Sequence, residues 1–267
     1  MSSLTFTIIQ TSLHWEEKAP NLKMLEAKIN SINEKTEVVI LPEMFSTGFS
    51  MNPERLAEEM DGETIAWMKR ISSEKKIILT GTIMIAENGN YYNRLIWMLP
   101  NGQMGLYDKK HLFAYASEND HFTSGNKRLI ASVKGWKINL HVCYDLRFPV
   151  WSRQSYKAGE NYQLEYDVLI YVANWPEKRS LAWKTLLQAR AIENQCFCIG
   201  VNRVGNDGNG IYYSGDSMAI HPSGEVLYHK AQDEDIFTIT LQKEELEEIR
   251  QKMPFWKDAD SFKILED

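Results

Sequence analysis

The sequence predicts an α/β fold on mixed β-sheet, and three observations lead to that class. Short apolar, β-branched runs alternate with helix-periodic stretches along most of the chain. The first three such segments follow the order strand, helix, strand. Later strands come in hairpin-like pairs, which adds antiparallel pairing.

Residues 4–10 read as a strand, and 21–33 as a helix, because Leu22, Leu25, Ile29 and Ile32 recur at helical spacing. The apolar run 38–41 is a second, buried strand. A helix at 63–73 precedes strands at 76–85, 92–99 and 103–107, the last two joined by the turn Pro100-Asn101-Gly102. In 137–142 the β-branched Ile138 and Val142 favour a strand. Pro149, which lacks a backbone donor, suits the first turn of a helix running through Val150, Trp151 and Tyr156. Alternation then resumes with a strand at 167–172, a helix at 179–194 and a strand at 196–202. Short strands between 217 and 239 turn at His221-Pro222-Ser223-Gly224, and an acidic amphipathic helix follows at 243–251.

Composition bounds the function. The 267 residues, 43% hydrophobic and 25% charged, suffice for one large core. No linker, repeat or low-complexity tract divides them, so a single domain over 1–267 is expected. The opening MSSLTFTIIQTSLHWEE has no basic leader and too short an apolar stretch for a signal peptide, and no segment approaches membrane-spanning length. Three cysteines, an odd number without CxxC or zinc-ligand spacing, argue against a disulfide framework and for a reducing compartment. A cytoplasmic protein is expected. A net charge of -6 without a clustered basic face excludes nucleic acid as a natural partner and favours a small-molecule substrate.

Cys143 is the most informative residue. In INLHVCYDLRFP it stands where a strand breaks into a turn, and helix amides beyond such a turn favour thiolate over thiol. Buried structural cysteine is the commoner role, and Cys196 and Cys198, on one face of an apolar strand, fit it. Glu43 ends the apolar run EVVILPE, which presents a carboxylate at the mouth of a sheet. Lys109 and Lys110 follow a short strand in GLYDKKHLF, and alternation alone does not choose the inward one.

Together, LPEMFSTGF with Glu43, YDKKHLF with Lys110 and CYDLRFP with Cys143 resemble the Glu, Lys and Cys signatures of the nitrilase superfamily of carbon-nitrogen hydrolases, in that family's order. YVANWP, ARAIENQ, and NRVG followed by YSGDSMAIHPSGE extend the resemblance over nearly the whole chain. The chain is most similar to the omega-amidase branch, whose members hydrolyse the terminal amide of 2-oxo dicarboxylic acid monoamides such as 2-oxoglutaramate.

The resemblance implies a four-layer α-β-β-α sandwich with two mixed sheets, and a homodimer, with 151–156 and 179–194 as candidate interface helices. It implies Cys143 as nucleophile, Glu43 as general base and then acid, and Lys110 with the Tyr144 N–H as oxyanion donors, chemistry that requires no metal or organic cofactor. Glu118, eight residues after Lys110, would orient the lysine, and Arg147, four beyond Cys143, would grip a substrate carboxylate bidentately. The chain departs from the family at His141, Leu140 and Val150. His141 falls on the Cys143 face of a regular strand, but neighbours two apart rarely reach a Cys-His hydrogen bond, and Glu43 already fills the base role. Nitriles, N-carbamoyl compounds and acyl transfer suit the same triad, and a non-catalytic binding protein would retain the same fold.

Overall fold

The computed structural model describes residues 2–157 and 163–264. Its first strands are β1 (Ser3–Gln10), β2 (Val38–Ile40), β3 (Ile78–Glu87), β4 (Asn90–Met98) and β5 (Met104–Asp108). Next come β6 (Leu129–Val133), β7 (Trp136–Val142), β8 (Tyr156–Lys157), β9 (Gln163–Leu164) and β10 (Val168–Ala173). The last are β11 (Phe197–Asn202), β12 (Val204–Asn206), β13 (Tyr212–Ile220), β14 (Val226–Ala231) and β15 (Asp235–Gln242). The helices are α1 (Lys18–Asn30), α2 (Pro53–Leu56), α3 (Glu63–Lys75), α4 (Glu118–His121), α5 (Pro149–Ser152), α6 (Ser180–Asn194) and α7 (Lys243–Lys252).

Two mixed sheets result. One has six strands in the order β15-β1-β2-β3-β4-β5; the other has seven, β12-β13-β11-β10-β7-β6 with β14 beside β13. Parallel pairs lie at the centre of each, β2 with β1 and β3 in the first and β10 with β7 and β11 in the second. Antiparallel strands flank them.

Side-chain alternation along the strands builds the layers. Phe6, Ile8, Val38, Ile40, Leu95 and Trp97 join one core with Ile138, Leu140, Val142 and Ile170 of the other sheet. Their chain neighbours Ile9, Val39, Leu41, Ile96 and Met98 join a second core with Leu22, Leu25 and Ile29 of α1 and Ile65, Met68 and Ile71 of α3. Successive residues thus point to opposite faces, one toward the partner sheet and one toward a helix layer. The far side of the second sheet is covered by α6, where Trp183 and Leu187 lie against Gly200. The order helix, sheet, sheet, helix matches the expected sandwich.

Most expected elements stand within a few residues of their predicted bounds. The helix expected through Tyr156 does not: it is a single turn, Pro149–Ser152, and Tyr156 enters the short strand β8. The chain also turns from β3 to β4 through Asn88 and Gly89, both at positive φ (52° and 77°), a hairpin signal that the sequence reading passed over.

α6 seats closely because position 200 has no side chain. A Cβ on Gly200 would come within 2.4 Å of Leu187 Cδ1 and 2.8 Å of Trp183. Gly200→Ala is therefore expected to destabilise the fold by about 1–3 kcal/mol through overpacking. A urea midpoint unchanged from the parent would contradict this seating.

Candidate active site

Strand ends deliver the reactive groups to one place. β2 ends just before Glu43, β5 just before Lys109, β7 just before Cys143, and β10 just before Asn174. β7 and β10 run parallel with Val142 opposite Val172, so Cys143 and Asn174 leave the sheet side by side. The Cys143 Sγ lies 3.8 Å from the Asn174 carbonyl. Glu43 leaves its strand in a turn where Met44, at φ 44°, donates its N–H to Thr82 Oγ1 at 2.7 Å.

Glu43, Lys109 and Glu118 are fully buried and bonded to one another. The Lys109 Nζ donates to Glu43 Oε1 at 2.9 Å and to Glu118 Oε2 at 2.8 Å. Asn93 Nδ2 donates to the same two carboxylates at 2.8 and 3.1 Å. The Asn174 N–H reaches Glu43 Oε2 at 2.8 Å, and the Phe113 N–H reaches Glu118 Oε2 at 2.6 Å.

The lysine of this cluster is Lys109, which corrects the assignment of Lys110. Along β5 the inward residue is Tyr107, nearly fully buried, while Asp108 turns away to pair with Arg94. Alternation continues for one more residue: the Lys109 N–H bonds to the Asn93 carbonyl at 3.0 Å, and its side chain follows Tyr107 inward. Lys110 falls on the opposite side, with Nζ 5.7 Å from the Trp151 ring centroid, in a surface groove beside Asp108 and Lys127.

Electrostatics set the resting protonation states. Burial works against the Lys109 charge, but Glu118 and Glu43 outweigh it and hold the ammonium above its ordinary range. Burial raises the Glu118 pKa, and the nearby Glu43 carboxylate adds to this. Burial and the Glu43 carboxylate push the Cys143 thiol well up, against the pull of Lys109. The thiolate favoured by a helix terminus is therefore not the resting form; Cys143–Arg147 is a 3-10 turn, followed only by the single turn α5. The cysteine rests as a thiol beside a carboxylate.

Cys143 adopts φ 45°, an uncommon conformation for a residue with a side chain. Asp145 holds the turn around it. Its Oδ2 accepts from the Val142 N–H at 3.0 Å and the Tyr107 hydroxyl at 2.7 Å, and its Oδ1 accepts from the His111 N–H at 3.0 Å. His111 Nδ1 lies 2.8 Å from the same oxygen, and the ring stacks on Phe148 at 3.9 Å. Burial alone would raise the Asp145 pKa, but the His111 hydrogen bond and neighbouring donors bring it below the ordinary carboxylate value. One carboxylate thereby ties the Cys143 turn to the segment that carries Lys109. Arg190 of α6 secures the other side of the turn, donating to the Leu146 carbonyl at 2.6 Å.

Cys143 opens onto a cavity of about 130 Å³, whose walls include Tyr144, Arg147, Asn174, Trp175 and Phe113. At about 30 Å³ per water of the liquid it has room for roughly four waters, which suits a small ligand. Glu118 is bonded to Lys109, and Tyr144 and Arg147 line the cavity. Asn93 and Asn174 were not singled out. Asn174 stands in the quoted YVANWP, whereas Asn93 reads as an ordinary strand polar residue. His141 is fully buried but faces the Tyr171 ring, 5.3 Å away, rather than the thiol. Its pKa is lowered to about 4 by burial, so it carries no charge at neutral pH.

Asp145→Asn removes the charge that these donors share and is expected to lower stability by about 1.5–3 kcal/mol. The depressed native pKa means that this stabilisation is present above the unfolded carboxylate pKa and fades as pH falls through the native one. Urea melts of parent and variant, equal at neutral pH, would refute the tie.

Known proteins share this architecture and sequence. The carbon-nitrogen hydrolase family matches residues 5–251. "Omega-amidase YafV" of Escherichia coli (strain K12) is 40% identical over 99% of this chain and 100% of its own length. "2-oxoglutaramate amidase" of Bacillus subtilis (strain 168) is 31% identical over 95% of this chain and 96% of its own. The crystal structure of XC1258 from Xanthomonas campestris, a CN-hydrolase superfamily protein with an arsenic adduct in its active site, superposes with a TM-score of 0.96. It is 40% identical, and the match covers 99% of this chain and 100% of that one. Sequence and fold agree, and the chain belongs to the carbon-nitrogen hydrolase family.

Proposed function

We propose that the protein hydrolyses the terminal amide of a small carboxylated amide of the 2-oxoglutaramate or 2-oxosuccinamate type, releasing the acid and ammonia through a cysteine thioester. The observation that carries this reading is a buried thiol beside a carboxylate and a permanently charged lysine, at the floor of a cavity lined by Arg147. Full-length relatives named for omega-amidase and 2-oxoglutaramate amidase activity support the substrate class.

Each step follows from the resting state. Because Cys143 holds its proton, attack on the amide carbon requires transfer of that proton to Glu43 as the S–C bond forms. The carbonyl oxygen gains negative charge, which the Lys109 ammonium and the Tyr144 N–H would stabilise. Glu43 returns the proton to the amide nitrogen, the C–N bond breaks, and ammonia leaves. Glu43 then takes a proton from water as its oxygen attacks the thioester, and the proton passes to the departing thiolate. Glu118 keeps Lys109 charged and aimed, while Arg147 would bind the distal carboxylate through its guanidinium fork.

Among the described residues, no helix is long and apolar enough to cross a membrane. A single domain, a cytoplasmic location and a homodimer complete the proposal. α6 exposes Leu181 and Ile192, an apolar outer side suited to a second copy of the chain. Light scattering of the purified protein tests the assembly.

Ammonia release from 2-oxoglutaramate and 2-oxosuccinamate, beside glutaramate, a nitrile and an N-carbamoyl amino acid, tests the activity. Turnover of the nitrile or carbamoyl compound alone would move the protein to another branch, and turnover of none would favour a binding protein. Cys143→Ala is expected to abolish activity. Lys109→Met is expected to lower kcat by about 10²–10³, the usual cost of an oxyanion donor. Lys110→Met should stay within about threefold of the parent, as a surface change does; the reverse order would restore Lys110 to the site. The raised thiol and ammonium pKa values keep both groups protonated above the thiol's ordinary value of 9.0, so kcat/KM should show no alkaline loss below that pH. A descending limb near pH 8 would contradict this.

A further inference from the structure

The same cavity wall carries a second guanidinium, which neither the fold nor the triad requires. Arg179 follows Pro176 at the end of a short turn and lines the cavity together with Arg147. The two are held alike. Arg147 lies over the Trp175 ring at 5.0 Å, and Arg179 lies over the Phe113 ring at 5.1 Å. A ring beneath a guanidinium fixes its plane and leaves its edge donors available to a ligand.

Neither arginine has a carboxylate within ion-pair distance among the described residues. Asp207, the acidic side chain on the same wall, is already engaged. Its Oδ1 accepts from the N–H groups of Asn209 and Ile211, each at 2.9 Å, and its Oδ2 accepts from the Tyr213 hydroxyl at 3.0 Å. The cavity therefore holds two positive charges and one carboxylate committed to its own loop. A ligand with one carboxylate leaves one of these cations without an acceptor.

A 2-oxo acid meets this arrangement in a way that its relatives do not. Its carboxylate and adjacent oxo group offer neighbouring acceptor oxygens to two forks, whereas the simple acid lacks the second group. The amino acid places an ammonium at the same carbon. Between two unneutralised cations that ammonium is repelled.

We propose that Arg179 is a specificity-determining residue: with Arg147 it selects amides bearing a 2-oxo acid end and excludes the corresponding 2-amino acid amide. The proposal rests on the amidase reading above and adds the residue that separates 2-oxoglutaramate from glutamine.

The test compares kcat/KM for 2-oxoglutaramate, glutaramate and L-glutamine in the parent, Arg179→Met and Arg179→Lys. The parent should prefer 2-oxoglutaramate to both others. In Arg179→Met both preferences should shrink by about tenfold or more, as expected when a charged donor to a substrate oxygen is lost. Arg179→Lys, which keeps the charge but loses the fork, should recover part of the discrimination against glutamine. Equal losses for all three amides in Arg179→Met would overturn the proposal, because a structural role lowers them together. A parent indifferent between 2-oxoglutaramate and glutamine would overturn it as well. A parent inactive on every amide overturns the amidase reading itself; an active parent whose ratios survive Arg179→Met overturns only the role of Arg179.

Discussion

A single ammonium shared by two buried carboxylates is the constraint around which the rest of the site is arranged. Lys109, Glu43 and Glu118 are removed from water, and a lone charge in that position would be strongly unfavourable. The cluster is tolerable because every member has partners: Lys109 reaches both carboxylates, Asn93 bridges them, and the Asn174 and Phe113 backbone donors fill remaining acceptor sites. These partners come from the ends of β2, β5 and β10, from within β4, and from α4 with the segment before it. The cluster therefore forms only when the strands are in register, and it leaves a carboxylate beside the Cys143 thiol.

That carboxylate helps set the resting state of the Cys143 thiol. A thiolate stabilised by helix dipoles would be reactive at rest and open to oxidation. Burial and Glu43 instead keep the proton on sulfur at rest. The turn that exposes the sulfur is strained at Cys143, and Asp145 offsets this by gathering donors from β7, Tyr107 and His111. The same carboxylate fixes the distance between the Cys143 turn and the lysine segment. One polar network thus holds both the Cys143 turn and the Lys109 segment.

Much of this was legible in the chain. Helical spacing in 21–33, β-branched runs at 38–41 and 137–142, and turn residues after 99 reported local geometry that tertiary packing had no reason to override. Glu43 and Cys143 were legible because each ends an apolar strand, where a polar residue has few structural uses. Glu118 and Arg147 came through resemblance; the first is buried against Lys109 and the second lines the cavity. Asn93 was not legible, because a strand asparagine bridging two carboxylates looks the same in sequence as one facing water. The helix after Pro149 was overextended because its start signal is real while its end is imposed by β8.

By itself the sequence determined the class of fold, the order of its elements, the family and the residue types of the chemistry, because periodicity and motifs are local properties. Tertiary structure decided which lysine joins Glu43 and Glu118. Adjacent lysines at a strand end differ only in which face they take, and that face is set by the pairing of β5 with β4, which turns Tyr107 and Lys109 inward and Asp108 and Lys110 away. It also decided the resting state of Cys143, since a thiol pKa depends on burial and on a carboxylate 100 residues away in the chain (43 to 143). The meeting of Arg147 with Arg179 in one cavity was likewise beyond the sequence, because it depends on separate loops closing over the same strand ends.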